Sequence, residues 1–162
     1  MTSPNPETAR TDVLEIIGQS VFHAMGLLES LQEETSALES QDPEALMLAV
    51  DAKQASVDAL RKLEDRRLNL CRAAGFDNGP FQMEELAAWC DEDRAILDRW
   101  DHLMEVAADC NARNLTNGAI VRTRQQHIET SLTVLRGDDT ETHTYHRDGT
   151  SNERQQHALA KA

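Results

Sequence analysis

The sequence predicts an all-α fold: an elongated antiparallel helical hairpin, extended by a third long helix into a coiled-coil bundle and followed by a flexible C-terminal tail. Three observations lead there. Apolar residues recur in alternating steps of four and three over three long stretches, which is the heptad seam of packed helices. Proline, glycine and capping residues interrupt the pattern at only a few places. Aromatic residues make up 4% of the 162 residues while the hydrophobic share is 40%, so thin helical packing is favoured over a thick centre.

The first helix is expected over residues 6–39. Asn5, Pro6 and Glu7 form a start signal, with Thr11 and Asp12 as a later alternative. Val13, Ile17, Ser20, Ala24, Leu27, Leu31 and Leu38 keep the spacing, Glu34 interrupts it, and Ile16 and Leu28 widen the stripe. Gly18 and Gly26 each weaken the helix by about 1 kcal/mol relative to alanine; each marks a soft point or a close backbone approach. Ser40, Gln41, Asp42 and Pro43 close it and open the next, because Asp42 can cap free amides and proline suits a first helical position.

The second helix, 43–74, carries Leu46, Val50, Val57, Leu60, Leu63, Leu68 and Cys71 and stops at Gly75. Lys53 and Glu64 fall on its seam, so its packing is predicted to be shallower. A connection this short makes the two helices antiparallel neighbours, a hairpin about 45 Å long at 1.5 Å per residue. After the turn at 76–80, a third helix is expected over 81–136; a break at 90–93 fits the pattern equally. On a continuous helix Trp89 and Trp100 share a face, with core packing the default. Residues 137–162 are polar, with Tyr145 and Leu159 almost the only large apolar side chains, and are expected to be mobile.

The third stretch holds the longest seam: Ile96, Trp100, Leu103, Ala107, Cys110, Asn114, Asn117, Val121, Arg124, Ile128, Ser131 and Leu135. It is apolar at its ends and polar in the middle, where Asn111, Asn114 and Asn117 follow at intervals of three and Gly118 comes next. Two readings fit these amides. They line a groove that hydrogen-bonds an incoming helix, or they fix register within the chain's own bundle, which spacing alone favours.

Composition excludes several classes of function. A formal net charge of -13 repels phosphates, and no basic patch is large enough to offset it, so nucleic acid is not an expected partner. Residues 111–136 are locally positive, with Arg113, Arg122, Arg124 and Arg136 against Glu129; pairing with Glu-rich neighbours in the bundle is the simpler account, an acidic partner the other. Cys71, Cys90 and Cys110 are widely spaced and read as reduced thiols in the cytosol. The first residues lack the features of a signal peptide and no run is long enough to span a bilayer; the expected location is cytoplasmic, with any membrane association through docking to a membrane machine.

No catalytic motif is found: no P-loop, no Gly-x-Ser-x-Gly elbow, no Rossmann glycine pattern. His143, His146 and His157 lack convincing partners for a metal, and Asp98 with His102 lacks the Glu-x-x-His pairs of a carboxylate-bridged metal bundle. No enzyme activity, cofactor or metal is expected.

Asn111-Ala-Arg-Asn114-Leu-Thr-Asn117-Gly118-Ala-Ile-Val-Arg122, followed by Leu132-Thr-Val-Leu135-Arg-Gly137 and by Tyr145 and Gly149, resembles the C-terminal half of the FlgN family. Those are bacterial cytosolic chaperones that escort hook-associated (hook-filament junction) proteins to the flagellar export gate. The resemblance covers the second half of the chain in motif, and the whole chain in length and helical pattern. It implies a type III export chaperone that binds amphipathic terminal helices of hook-associated proteins and prevents their premature assembly. It further implies client binding by Asn111, Asn114, Asn117, Gly118, Val121, Ile128, Leu132 and Leu135, and docking on the cytosolic domain of the export gate through Tyr145 and Gly149. A self-associating coiled-coil scaffold without an export role is the rival reading; monomer and homodimer both fit the seams.

Overall fold

The computed structural model of the chain describes residues 5–76 and 79–137. The described residues are all-α, with four helices and no strand: α1 (Pro6–Ser40), α2 (Pro43–Ala73), α3 (Gln82–Cys90) and α4 (Ala95–Arg136). The expected flexibility of 137–162, Tyr145, Gly149 and the three tail histidines lie outside the described residues, apart from Gly137.

The first two boundaries follow from local chemistry. The Asn5 side chain accepts the Glu7 amide at 3.3 Å, and Pro6 occupies the first turn. At the other end Gln41 turns left-handed at φ 57°, and the Asp42 carboxylate accepts the amides of Glu44 and Ala45 at 3.0 and 3.1 Å. These bonds satisfy donors that have no partner inside a helix. α2 stops where Gly75 takes φ 92° and the Phe76 amide returns to the Cys71 carbonyl, the left-handed termination that glycine allows without strain.

A single helix over 81–136 does not form. Asp91 takes extended geometry and its carboxylate accepts the Ile96 amide at 2.7 Å, starting α4 afresh. The other carboxylate oxygen accepts Arg10 Nε of α1 at 2.9 Å, and Arg94 completes the elbow in the left-handed region at φ 62°. A side-chain acceptor thus supplants the carbonyl that a continuous helix would have supplied. Trp89 and Trp100 consequently share no helix face. Trp89 is edge-on to Phe76, while Trp100 lies under the Arg67 guanidinium, 5.1 Å from ring centroid to cation.

Contacts divide the chain into two units, Met1–Thr123 and Arg124–Ala162. In the first, α1 is the shared partner. It runs antiparallel to α2, as shown by Glu34 bonding Lys53 and Gln19 bonding Arg66. It runs parallel to α4, since Ala24 faces Cys110 and Leu31 faces Asn117. The core joins Val13, Ile17, Ala24 and Leu31 of α1 to Cys71, to Met83, Leu86 and Ala87 of α3, and to Ile96, Leu103, Val106 and Cys110 of α4. Three seam assignments shift by one residue: Ala49 is buried in place of Val50, Arg67 in place of Leu68, and Val106 in place of Ala107. A helix with 3.6 residues per turn drifts against a seven-residue repeat unless it supercoils, which moves the buried row sideways.

In the second unit the described helical residues 125–136 are all exposed and Arg124 is half-buried.

Candidate helix-binding site

Four polar residues on the seams, Glu34, Lys53, Glu64 and Asn117, are paired. Lys53 donates to Glu34 at 2.6 Å across α2 and α1. Asn117, only 3% exposed, donates its amide to the Leu31 carbonyl at 2.9 Å and to the Glu34 carboxylate at 2.8 Å. The Thr35 hydroxyl lies 2.6 Å from the Asn117 carbonyl. Glu64 accepts both arms of Arg67, at 2.8 and 2.7 Å. Charge-assisted bonds of this kind hold one register, because a slip of one turn would strand a buried charge. Asn117 therefore supports the register reading of the amide row. Asn111 and Asn114 are exposed on α4, and Gly118 is half-buried.

Arg67 is the hub that reading the sequence missed. It is buried, donates to the Gln82 side chain at 2.8 Å and to Met83 sulfur at 3.4 Å, and so ties α2 to α3 and to Trp100 of α4. The hydrogen bonds from Arg67 hold the Glu64 carboxyl below its ordinary range, against the opposing effect of burial. One signal was available: Leu60, Glu64, Arg67 and Cys71 are spaced four, three and four, which puts the arginine on the packing row.

Beside this hub, α1, α2 and α4 leave a furrow of about 260 Å³. Ile17, Ala24 and Leu27 of α1 form its floor, Leu60 and Glu64 of α2 one wall, and Trp100, Met104 and Ala107 of α4 the other. Such a trough can receive apolar side chains from a partner while the rim stays polar.

The expected client-binding residues do not form one class. Asn117 is consumed in the α1–α4 lock; Asn111, Asn114, Gly118 and Val121 lie in the first unit on α4, and Val121 is exposed. Ile128, Leu132 and Leu135 lie in the second unit and are 60%, 44% and 82% exposed. Spaced by four and three on one helix, these three make an apolar stripe without a partner among the described residues. The thiols of Cys71, Cys90 and Cys110 are each pushed up by burial, which keeps them protonated at neutral pH and poor nucleophiles. Among the described residues no group of three or more His, Cys, Asp or Glu is placed to hold a metal ion. Among them, too, no helix is long and apolar enough to cross a membrane.

Comparison with known families places a match over residues 10–153 to the family described as FlgN protein. No match was found among curated proteins or among solved structures.

Proposed function

Because this chain belongs to the FlgN family, we propose that it is a cytosolic chaperone of flagellar protein export, whose clients are the amphipathic terminal helices of hook-associated proteins. The observation that carries this reading, beside the family match, is the stripe of Ile128, Leu132 and Leu135, exposed toward the end of α4, which also exposes Leu115, Val121 and Val134. A helix in water hides such a stripe against something.

A client helix that awaits assembly has the complementary need. Covering its stripe releases about 25 cal/mol per Å² of apolar surface, less the cost of ordering a mobile segment. The balance suits capture that is firm in the cytosol and reversible at export. Val121, Asn111, Asn114 and Gly118 extend the client-binding surface within the first unit, and Tyr145 with Gly149 dock on the cytosolic domain of the export gate. No catalytic step is part of this function.

The test is retention of a tagged C-terminal helix of a hook-associated protein by the full chain. Wild type retains it, and the double variant Ile128→Glu, Leu135→Glu loses it while keeping its helical circular dichroism. Equal retention by both proteins would remove the stripe from the account, and no retention by wild type would remove the client class. The same stripe also suits a self-associating scaffold, in which case the chain forms a tight oligomer that the client does not dissolve.

A further inference from the structure

The α4 wall of the furrow is unusual for so acidic a chain. Between Asp98 and Asp109, α4 carries Asp98, Asp101, Glu105 and Asp109. None of them falls on the row that borders the furrow. That row starts with Trp100, Met104 and Ala107, which line the trough, and the same steps of four and three carry it through Asn111, Asn114 and Gly118. All six are half-buried or exposed, so the absence of carboxylates there is not imposed by burial.

We propose that this furrow is a docking site for an amphipathic helix of the export client, one whose border toward α4 carries uncharged hydrogen-bonding side chains. The proposal rests on the chaperone reading given above and adds a seat separate from the Ile128, Leu132 and Leu135 stripe. A space of about 260 Å³ does not admit a whole helix, which is about 10 Å wide. It admits a row of side chains from a helix lying across the mouth between α2 and α4. Each asparagine offers a donor and an acceptor, which neutral amides and hydroxyls satisfy in pairs. A carboxylate or ammonium brought against Asn111 and Asn114 would exchange its water for neutral amides, which offset less of its desolvation than an opposite charge would; Arg122 approaches the row at Gly118.

Two other occupants fit less well. Residues 138–162 offer only Tyr145 and Leu159 as large apolar side chains, too few to fill an apolar trough. A second copy brings its own charge of -13 against that of the first.

Adjacent alanines provide the test. Ala107 lies on the row and Ala108 is exposed one position further round α4, and arginine is a good helix former at either. The full chain is titrated calorimetrically with a synthetic peptide of the C-terminal helix of a hook-associated protein. Ala107→Arg and Met104→Lys are expected to weaken binding at least about tenfold, while Ala108→Arg leaves it within about twofold. A peptide with glutamates replacing the neutral residues that flank its apolar stripe is expected to bind at least about tenfold more weakly than the parent peptide. Equal affinity of the three protein variants and wild type overturns the furrow as the seat, and leaves the chaperone reading standing. Absence of binding to wild type overturns both. Removal of 138–162 that raises affinity makes the tail the occupant, and a wild-type dimer that Ala107→Arg splits makes it a second copy; either overturns the proposal.

Discussion

Replacing Asn117 by alanine removes the amide that ties α4 to α1, and the structure sets the size of the effect. The amide donates to a neutral carbonyl of Leu31 and to the Glu34 carboxylate. A buried neutral bond is worth about 1 kcal/mol and one to a charged group about 1.5–3 kcal/mol, so a loss of about 3 kcal/mol is expected. The loss is bounded from above because Glu34 keeps Lys53 and the Thr35 hydroxyl keeps the Leu31 carbonyl at 2.9 Å. Urea unfolding followed by circular dichroism measures it as a lower midpoint at unchanged slope. Asn114→Ala, at an exposed site three residues away, is the control and is expected to change stability by less than about 0.5 kcal/mol. In a double-mutant cycle, Asn117→Ala and Glu34→Gln are expected to couple by about 1 kcal/mol or more. An Asn117→Ala protein as stable as Asn114→Ala would refute the claim that the seam's polar centre fixes register.

Other consequences are as direct. Changing Asp91 to alanine removes the acceptor of the Ile96 amide and a half-buried ion pair with Arg10, and a cost of about 1–2 kcal/mol is expected from the lost helix start alone. Burial opposes ionisation of its carboxyl, yet the Ile96 amide and Arg10 outweigh it and hold the group below its ordinary range. A carboxyl depressed on folding adds stability above its unfolded pKa and loses it as pH falls through the folded one. The stability gap between wild type and Asp91→Asn is therefore expected at pH 7 and should close on acidification below about pH 4; a gap that widens in acid would contradict the elbow. Arg67→Ala removes the bond to the Gln82 side chain and both bonds to Glu64, and uncovers Trp100; a cost of about 3 kcal/mol is expected by thermal melting, together with a change in tryptophan emission. Gly18 is exposed, with open space where a Cβ would stand, so Gly18→Ala should raise stability by about 0.5–1 kcal/mol. All three thiols should react with a disulfide reagent far more slowly in the folded chain than in urea, since burial raises each pKa.

What the sequence discloses and what it hides differ by the range of the interactions involved. The starts of α1 and α2 are set by Asn5 with Pro6 and by Asp42 with Pro43, each acting within three residues, so they read directly. The elbow at Asp91 depends on Arg10, far away in the chain, and an acidic residue among others carries no mark of that partner. Arg67 and Glu34 look like surface charges until their partners are in place. The same holds within the amide row: Asn111, Asn114 and Asn117 are alike in sequence, and only the position of α1 decides that Asn117 is buried while the others face solvent. The exposed stripe takes Ile128 and Leu135 from the predicted seam and Leu132 in place of its neighbour Ser131. Spacing reports that a face is apolar, however, and not whether a partner covers it.

The most direct measurement of the chaperone account is the mass, by light scattering on a sizing column, of the full chain alone and mixed with a purified monomeric hook-associated protein. A discrete mixed complex containing both proteins is predicted, with free client lost from its own peak. Unchanged elution of both proteins, or an oligomer of this chain that excludes the client, would contradict it.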